Sequence, residues 1–213
     1  MVLEPLTLTI GDKNLSSWSM RPWLALKAAG QPFTEVTIRL DRPDTNARLQ
    51  RISPSGTVPC LHHGKLVIWD SLAICEYLAE SFPAARLWPA DAVARARARS
   101  IAAEMHSGFA ALRANLRMEL IARRPGQNRA AGVAENIARI AEIWRTCVGE
   151  SGGPFLFGPF TIADAMYAPV VGRFATYGVD LEGSCRRYAD AVMAWPAYRE
   201  WLAGAQAEVA AAG

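Results

Sequence analysis

Apolar and polar residues follow two different rhythms along this chain. Leu6-Thr7-Leu8-Thr9-Ile10 alternates at period two, which predicts a half-buried strand. Residues 23–29 have a helical composition, and Gly30 with Pro32 beyond it marks a stop. Residues 33–40 predict a second strand anchored by Phe33, Val36 and Ile38. Residues 46–52 predict a short helix closed by Ser53-Pro54-Ser55-Gly56. Residues 58–62 and 65–69 flank His63-Gly64 as a hairpin. Residues 72–81 return to helical spacing, with Leu72, Cys75, Leu78 and Ala79 on or near one face.

The rhythm changes at Phe82-Pro83 and again at Leu87-Trp88-Pro89, where prolines and small residues predict a linker. From Asp91 onward strand patterns vanish, and Ala, Arg, Leu and Glu favour helix. Long helices are expected over residues 91–123 and 133–148, then a loop at Gly152-Gly153-Pro154 and an Ala-rich tail that frays. The division expected is 1–83, a linker at 84–90, and 91–213.

Composition narrows the classes. The chain has 213 residues, 51% of them hydrophobic and 20% charged, which is globular rather than disordered. A formal charge of +3 gives no argument for nucleic acid, and a helix would spread Arg95, Arg97 and Arg99 over different faces. No apolar run approaches the ~20 residues of a membrane span, and nothing at the N-terminus reads as a secretion signal. The four cysteines form no C-x-x-C pair and have no histidine at metal-ligand spacing, so a reduced, cytoplasmic protein without a metal is expected.

Two motifs carry the chemistry. In Ser55-Gly56-Thr57-Val58-Pro59-Cys60-Leu61 a proline opens a strand, where a cis bond would bare the peptide groups of Val58. Asp70-Ser71 then heads a helix, a place suited to an anion. Together they make a clamp for a peptide-like ligand bearing a carboxylate and an amine. Further on, Thr161 and Asp164 are spaced as a capping box with Asp in place of the usual Glu. The clamp resembles the glutathione site of bacterial members of the cytosolic glutathione transferase family. The run Phe157-Gly158-Pro159-Phe160-Thr161-Ile162-Ala163-Asp164 is similar to the one that marks that family's helical domain. This resemblance spans nearly the whole chain. It implies an α/β thioredoxin-like N-terminal domain followed by an all-α C-terminal helical domain.

The resemblance also implies a mechanism. Such proteins hold glutathione as a thiolate, which at neutral pH needs a hydrogen-bond donor beside the sulfur. The loop between the first strand and first helix offers Ser16, Ser17 and Ser19, with no Tyr and no Cys. Pro22 belongs in a first helical turn, which predicts a helix starting near Trp18 with Ser19 as its cap. Ser16-Ser17-Trp18-Ser19 resembles the zeta-class Ser-Ser-Cys motif, with Trp18 in place of the cysteine. By that match Ser16 is the thiol activator and Ser17 its neighbour; turn and cap bonding is their other reading. Val58 and Pro59 would meet the cysteinyl part of glutathione, Ser71 its γ-glutamyl carboxylate and Asp70 its amine. Trp18, Met105, His106, Phe109 and Arg113 would line an electrophile pocket, though the last four share a spacing that a core face also shows. Lys13, Arg21 and Lys65 are candidates for charge contacts, with exposed surface as their favoured reading. The implied protein is a homodimeric glutathione transferase that directs the thiolate at a small hydrophobic electrophile. The alternatives are a maleylacetoacetate-type cis–trans isomerase and a non-catalytic binding protein.

Overall fold

The computed structural model describes residues 4–127 and 130–211; residues 1–3, 128–129 and 212–213 lie outside the description. The first part is a four-stranded sheet with three helices. β1 (Leu6–Ile10), α1 (Ser17–Ala28), β2 (Thr34–Thr37), α2 (Thr45–Ile52), β3 (Cys60–His63), β4 (Leu66–Trp69) and α3 (Ser71–Ser81) follow in order. The strands lie in the order β2-β1-β3-β4, with β1 parallel to β2 and antiparallel to β3. This is the thioredoxin-like arrangement, and it places the ends of β1 and β3 beside the starts of α1 and α3. The Val58–Pro59 peptide is cis and stands just before β3.

A short 3₁₀ turn, Pro83–Ala85, leads into the helical domain. Its helices are α4 (Ala92–Ser107), α5 (Ala110–Asn115), α6 (Val133–Ser151), α7 (Ile162–Tyr177), α8 (Gly183–Ala194) and α9 (Pro196–Ala210). All of α7 except Ala175 is buried, as expected of a helix at the centre of a bundle. Its start carries the capping box: the Thr161 N–H donates to Asp164 Oδ2 at 2.8 Å, and the Thr161 side chain takes the Asp164 amide in return. Among the described residues no helix is long and apolar enough to cross a membrane, and no cluster of three or more His, Cys, Asp or Glu side chains could hold a metal. All four cysteines are buried and free.

Three expectations need correction. The single helix expected over 91–123 breaks at Gly108, and Phe109 follows in the left-handed region at φ 58°. The Arg113 guanidinium satisfies the released end, donating to the carbonyls of Met105, His106 and Gly108. Among the described residues the tail does not fray: α9 stays helical to Ala210, and Glu208 and Trp201 bond back to the loop after β1, while residues 212–213 of the expected tail lie outside the description. Finally, α1 starts earlier than Pro22 predicts. Its cap is Ser16, and Pro22 lies inside the helix, where it forgoes the bond to the Trp18 carbonyl. Burial of α1 against α3, α7 and α9 outweighs that loss.

Candidate active site

The site gathers where α1, α3 and the β3 entry converge. A cleft of about 500 Å³ is lined by Trp18, Leu49, Val58, Pro59, Asp70 and Ser71, among others. Asp70 caps α3 in a left-handed conformation, φ 73°, and its Oδ1 accepts from the N–H groups of Leu72 at 2.9 Å and Ala73 at 3.2 Å. Ser71 follows, buried, with a hydroxyl that has no protein partner. An unpaired buried hydroxyl at a helix N-terminus, facing a cleft, suits an anionic ligand group.

Ser16 and Ser17 are both buried at the start of α1, next to the cleft-lining Trp18, and do not themselves line the cleft. The Ser16 hydroxyl donates to Ser19 Oγ at 2.7 Å and accepts from the Ser19 N–H at 3.3 Å, so it works as the α1 cap. Ser17 Oγ accepts from Arg173 Nη2 of α7 at 3.1 Å. The loop before them is held from several directions. Glu208 accepts from the N–H groups of Lys13 and Asn14, and Trp201 Nε1 donates to the Lys13 carbonyl at 2.9 Å. Leu120 and Ile121 donate to Asn14.

Of the expected electrophile pocket, Trp18, His106 and Arg113 meet, whereas Met105 and Phe109 are buried in the core. The Trp18 indole takes the Arg21 guanidinium over its ring at 4.3 Å and that of Arg113 at 4.8 Å, with His106 edge-on at 5.2 Å. His106 Nε2 lies 3.1 Å from Asp70 Oδ2. Asp70 favours the protonated ring, but burial outweighs it and Arg21 and Arg113 add to burial, so the His106 pKa falls.

Two of the residues read as surface are not. Arg21 is 1% exposed, its Nε and Nη1 lack partners, and burial together with Arg113 and Arg173 pushes its pKa down to about 9. Lys13 is tied to Glu35. Sequence reasoning missed Arg173 altogether. The available signal was the setting: Met20-Arg21-Pro22-Trp23-Leu24 and Val171-Gly172-Arg173-Phe174 each embed an arginine in an apolar helical run.

Both parts of the chain match known proteins. Residues 15–81 match the family model of the glutathione S-transferase N-terminal domain, and residues 90–204 match that of the C-terminal domain. A maleylacetoacetate isomerase of Pseudomonas aeruginosa is 30% identical over 202 residues, covering 88% of this chain and 91% of that protein. A probable maleylacetoacetate isomerase of Caenorhabditis elegans is 29% identical over 174 residues, 79% of this chain and 78% of that protein. Among solved structures, a Burkholderia glutathione transferase homolog with bound glutathione is 25% identical, with a TM-score of 0.74 over 95% of this chain and 99% of that one.

Proposed function

We propose, since this chain belongs to the glutathione S-transferase family, that it binds glutathione in the cleft at Val58, Pro59, Asp70 and Ser71 and presents its thiolate to an electrophile. The observation that carries the reading is Ser71, a buried hydroxyl with no protein partner at the start of α3, in the wall of that cleft. The γ-glutamyl carboxylate would take that hydroxyl and the helix N-terminus, and the Asp70 carboxylate would take the amine. Ser16 and Ser17 stand at the N-terminus of α1, whose field favours the thiolate over the thiol. The protein then supplies orientation and thiol ionisation, and the electrophile supplies the driving force.

Calorimetric titration tests this. Wild type should bind glutathione, and Ser71→Ala should weaken binding by roughly tenfold, the loss of one hydrogen bond to a charged group. Equal affinity in both proteins would reduce Ser71 to a packing residue and remove the reading's main support.

A second reading is favoured by the charge around Trp18. Arg21 and Arg113 lie over its ring, Arg173 is close enough to depress Arg21, and the facing carboxylate is Asp70. That excess of positive charge suits an electrophile bearing a carboxylate, such as those named in the maleylacetoacetate isomerase relatives. There the thiolate would add to a conjugated cis double bond, the carbon–carbon bond would rotate, and the thiolate would leave, with no net consumption of glutathione. Turnover of maleylacetoacetate beside a neutral model electrophile separates the two readings. The homodimer expectation fits the edge strand β4, which leaves Leu66 and Trp69 nearly half exposed; sedimentation reads it directly. The four free, buried cysteines suit a reducing cytoplasm.

A further inference from the structure

We propose that Arg173, reaching from the helical domain, is a positioning residue that makes Ser17 rather than Ser16 the hydroxyl that stabilises the glutathione thiolate. The inference rests on the glutathione reading and deepens it.

Proton accounting separates the two serines. A hydroxyl has one proton to donate and two lone pairs with which to accept. Ser16 spends its proton on Ser19 Oγ and uses a lone pair for the Ser19 N–H. Ser19 Oγ in turn also accepts from the Gly11 N–H, so the bond anchors the end of β1 to the first turn of α1. Turning the Ser16 proton toward a thiolate requires the pair to reverse, with Ser19 donating to Ser16 Oγ instead. Ser17 is differently placed. Its partner is the Arg173 guanidinium, which can only donate, so the Ser17 oxygen accepts and its proton remains available. Accepting a bond from a cation also strengthens the hydroxyl as a donor, as in any chain of polarised hydrogen bonds.

The arginine is held for the purpose. Arg173 sits on α7, is 7% exposed, and fixes its other nitrogen, Nη1, on the Leu116 carbonyl. One planar group therefore grips the end of α5 and the start of α1 at once. Burial, with Arg113 and Arg117 nearby, lowers its pKa to about 10, so it remains charged at neutral pH. Its positive charge lies one hydrogen bond behind the donor, where it favours the ionised sulfur over the thiol.

The test is the pKa of enzyme-bound glutathione, read from the ultraviolet absorbance of the thiolate. It is measured in wild type, Ser16→Ala, Ser17→Ala, Arg173→Gln and Arg173→Lys. S-methylglutathione, which has no thiol, is titrated alongside as the binding control. Ser17→Ala and Arg173→Gln should each raise the bound-thiol pKa by about one or more and lower kcat near neutral pH roughly tenfold to a hundredfold. Affinity for S-methylglutathione should stay within about twofold, because the change acts through the sulfur. Arg173→Lys, which keeps the charge and one donor, should fall between wild type and Arg173→Gln. Combining Ser17→Ala with Arg173→Gln should raise the thiol pKa little beyond Ser17→Ala alone. A larger rise in Ser16→Ala than in Ser17→Ala overturns the inference, as does an unmoved pKa in both Ser17→Ala and Arg173→Lys. These comparisons stand even where Arg173→Gln does not fold. Wild type that binds neither glutathione nor S-methylglutathione would sink the glutathione reading itself; binding with a thiol pKa that neither Ser17→Ala nor Arg173→Lys moves sinks only the roles of Ser17 and Arg173.

Discussion

At the scale of single residues, the site is governed by charges that share too little water. Asp70 does two jobs: Oδ1 caps α3, and Oδ2 faces His106. Among the described residues it is the neighbour that favours the protonated imidazole, against burial and two arginines. Asp70→Asn keeps an oxygen for the cap and removes the charge. The His106 pKa should then drop further below its already lowered value, as followed by proton NMR titration of the ring. A pKa that stays put or rises would mean that the contact with Asp70 is not felt electrostatically. This is also where the sequence was least legible. Asp70 and Ser71 could be picked out because capping residues act on their own backbone, a few positions away. Arg21 and Arg173 could not be assigned, because their meaning comes from a meeting of α1 with α7 over a separation of about 150 positions in sequence. Local pattern says only that an arginine stands where apolar residues are expected.

At the scale of elements, the strands and the caps at Asp70 and Thr161 were readable, whereas the α1 cap and the helix ends were not. The β1 alternation, the hairpin and the Thr161–Asp164 box each draw on neighbours within a few residues, and each is found where the pattern puts it. The break after α4 depends on Arg113 folding back to three carbonyls, and the early start of α1 depends on packing that pays for the bond Pro22 removes. The box also makes a pH prediction. Asp164 is fully buried, and desolvation raises its pKa to about 6 despite bonds from the Leu156 and Thr161 amides. Its folded pKa lies above the ~3.9 of an unfolded aspartate, so the folded state holds the proton more tightly. That contribution is fully present below about pH 4 and is lost as pH rises through 6, a swing of about 2–3 kcal/mol. Asp164→Asn has no such proton. Measured by denaturant titration, the stability of wild type relative to the variant should therefore fall by about that amount between acid and neutral pH. A constant difference across that range would mean that the Asp164 charge is better solvated than its burial implies.

At the scale of the whole molecule, neither domain completes the site alone. The loop that carries Ser16 and Ser17 is bonded by α7 through Arg173, by the segment after α5 through Leu120 and Ile121, and by α9 through Trp201 and Glu208. Glu208→Ala would strip two backbone N–H groups of their acceptor. It should cost about 1–3 kcal/mol of stability in denaturant titration, with Glu208→Gln recovering part of the loss. No loss in either variant would show that the contact follows the fold rather than supporting it.

The bond between Lys13 and Glu208 joins positions 195 residues apart. Translation runs from one end of a chain to the other, so the ribosome releases the serine loop well before its α9 partners. A nascent chain can assemble the sheet of the first domain long before then, since β1 to β4 lie within the first seventy residues. The loop itself stays without its Glu208 and Trp201 ties until α9 emerges. Until α9 has followed, a growing chain carries Ser16 and Ser17 on a loop that still lacks two of its anchors.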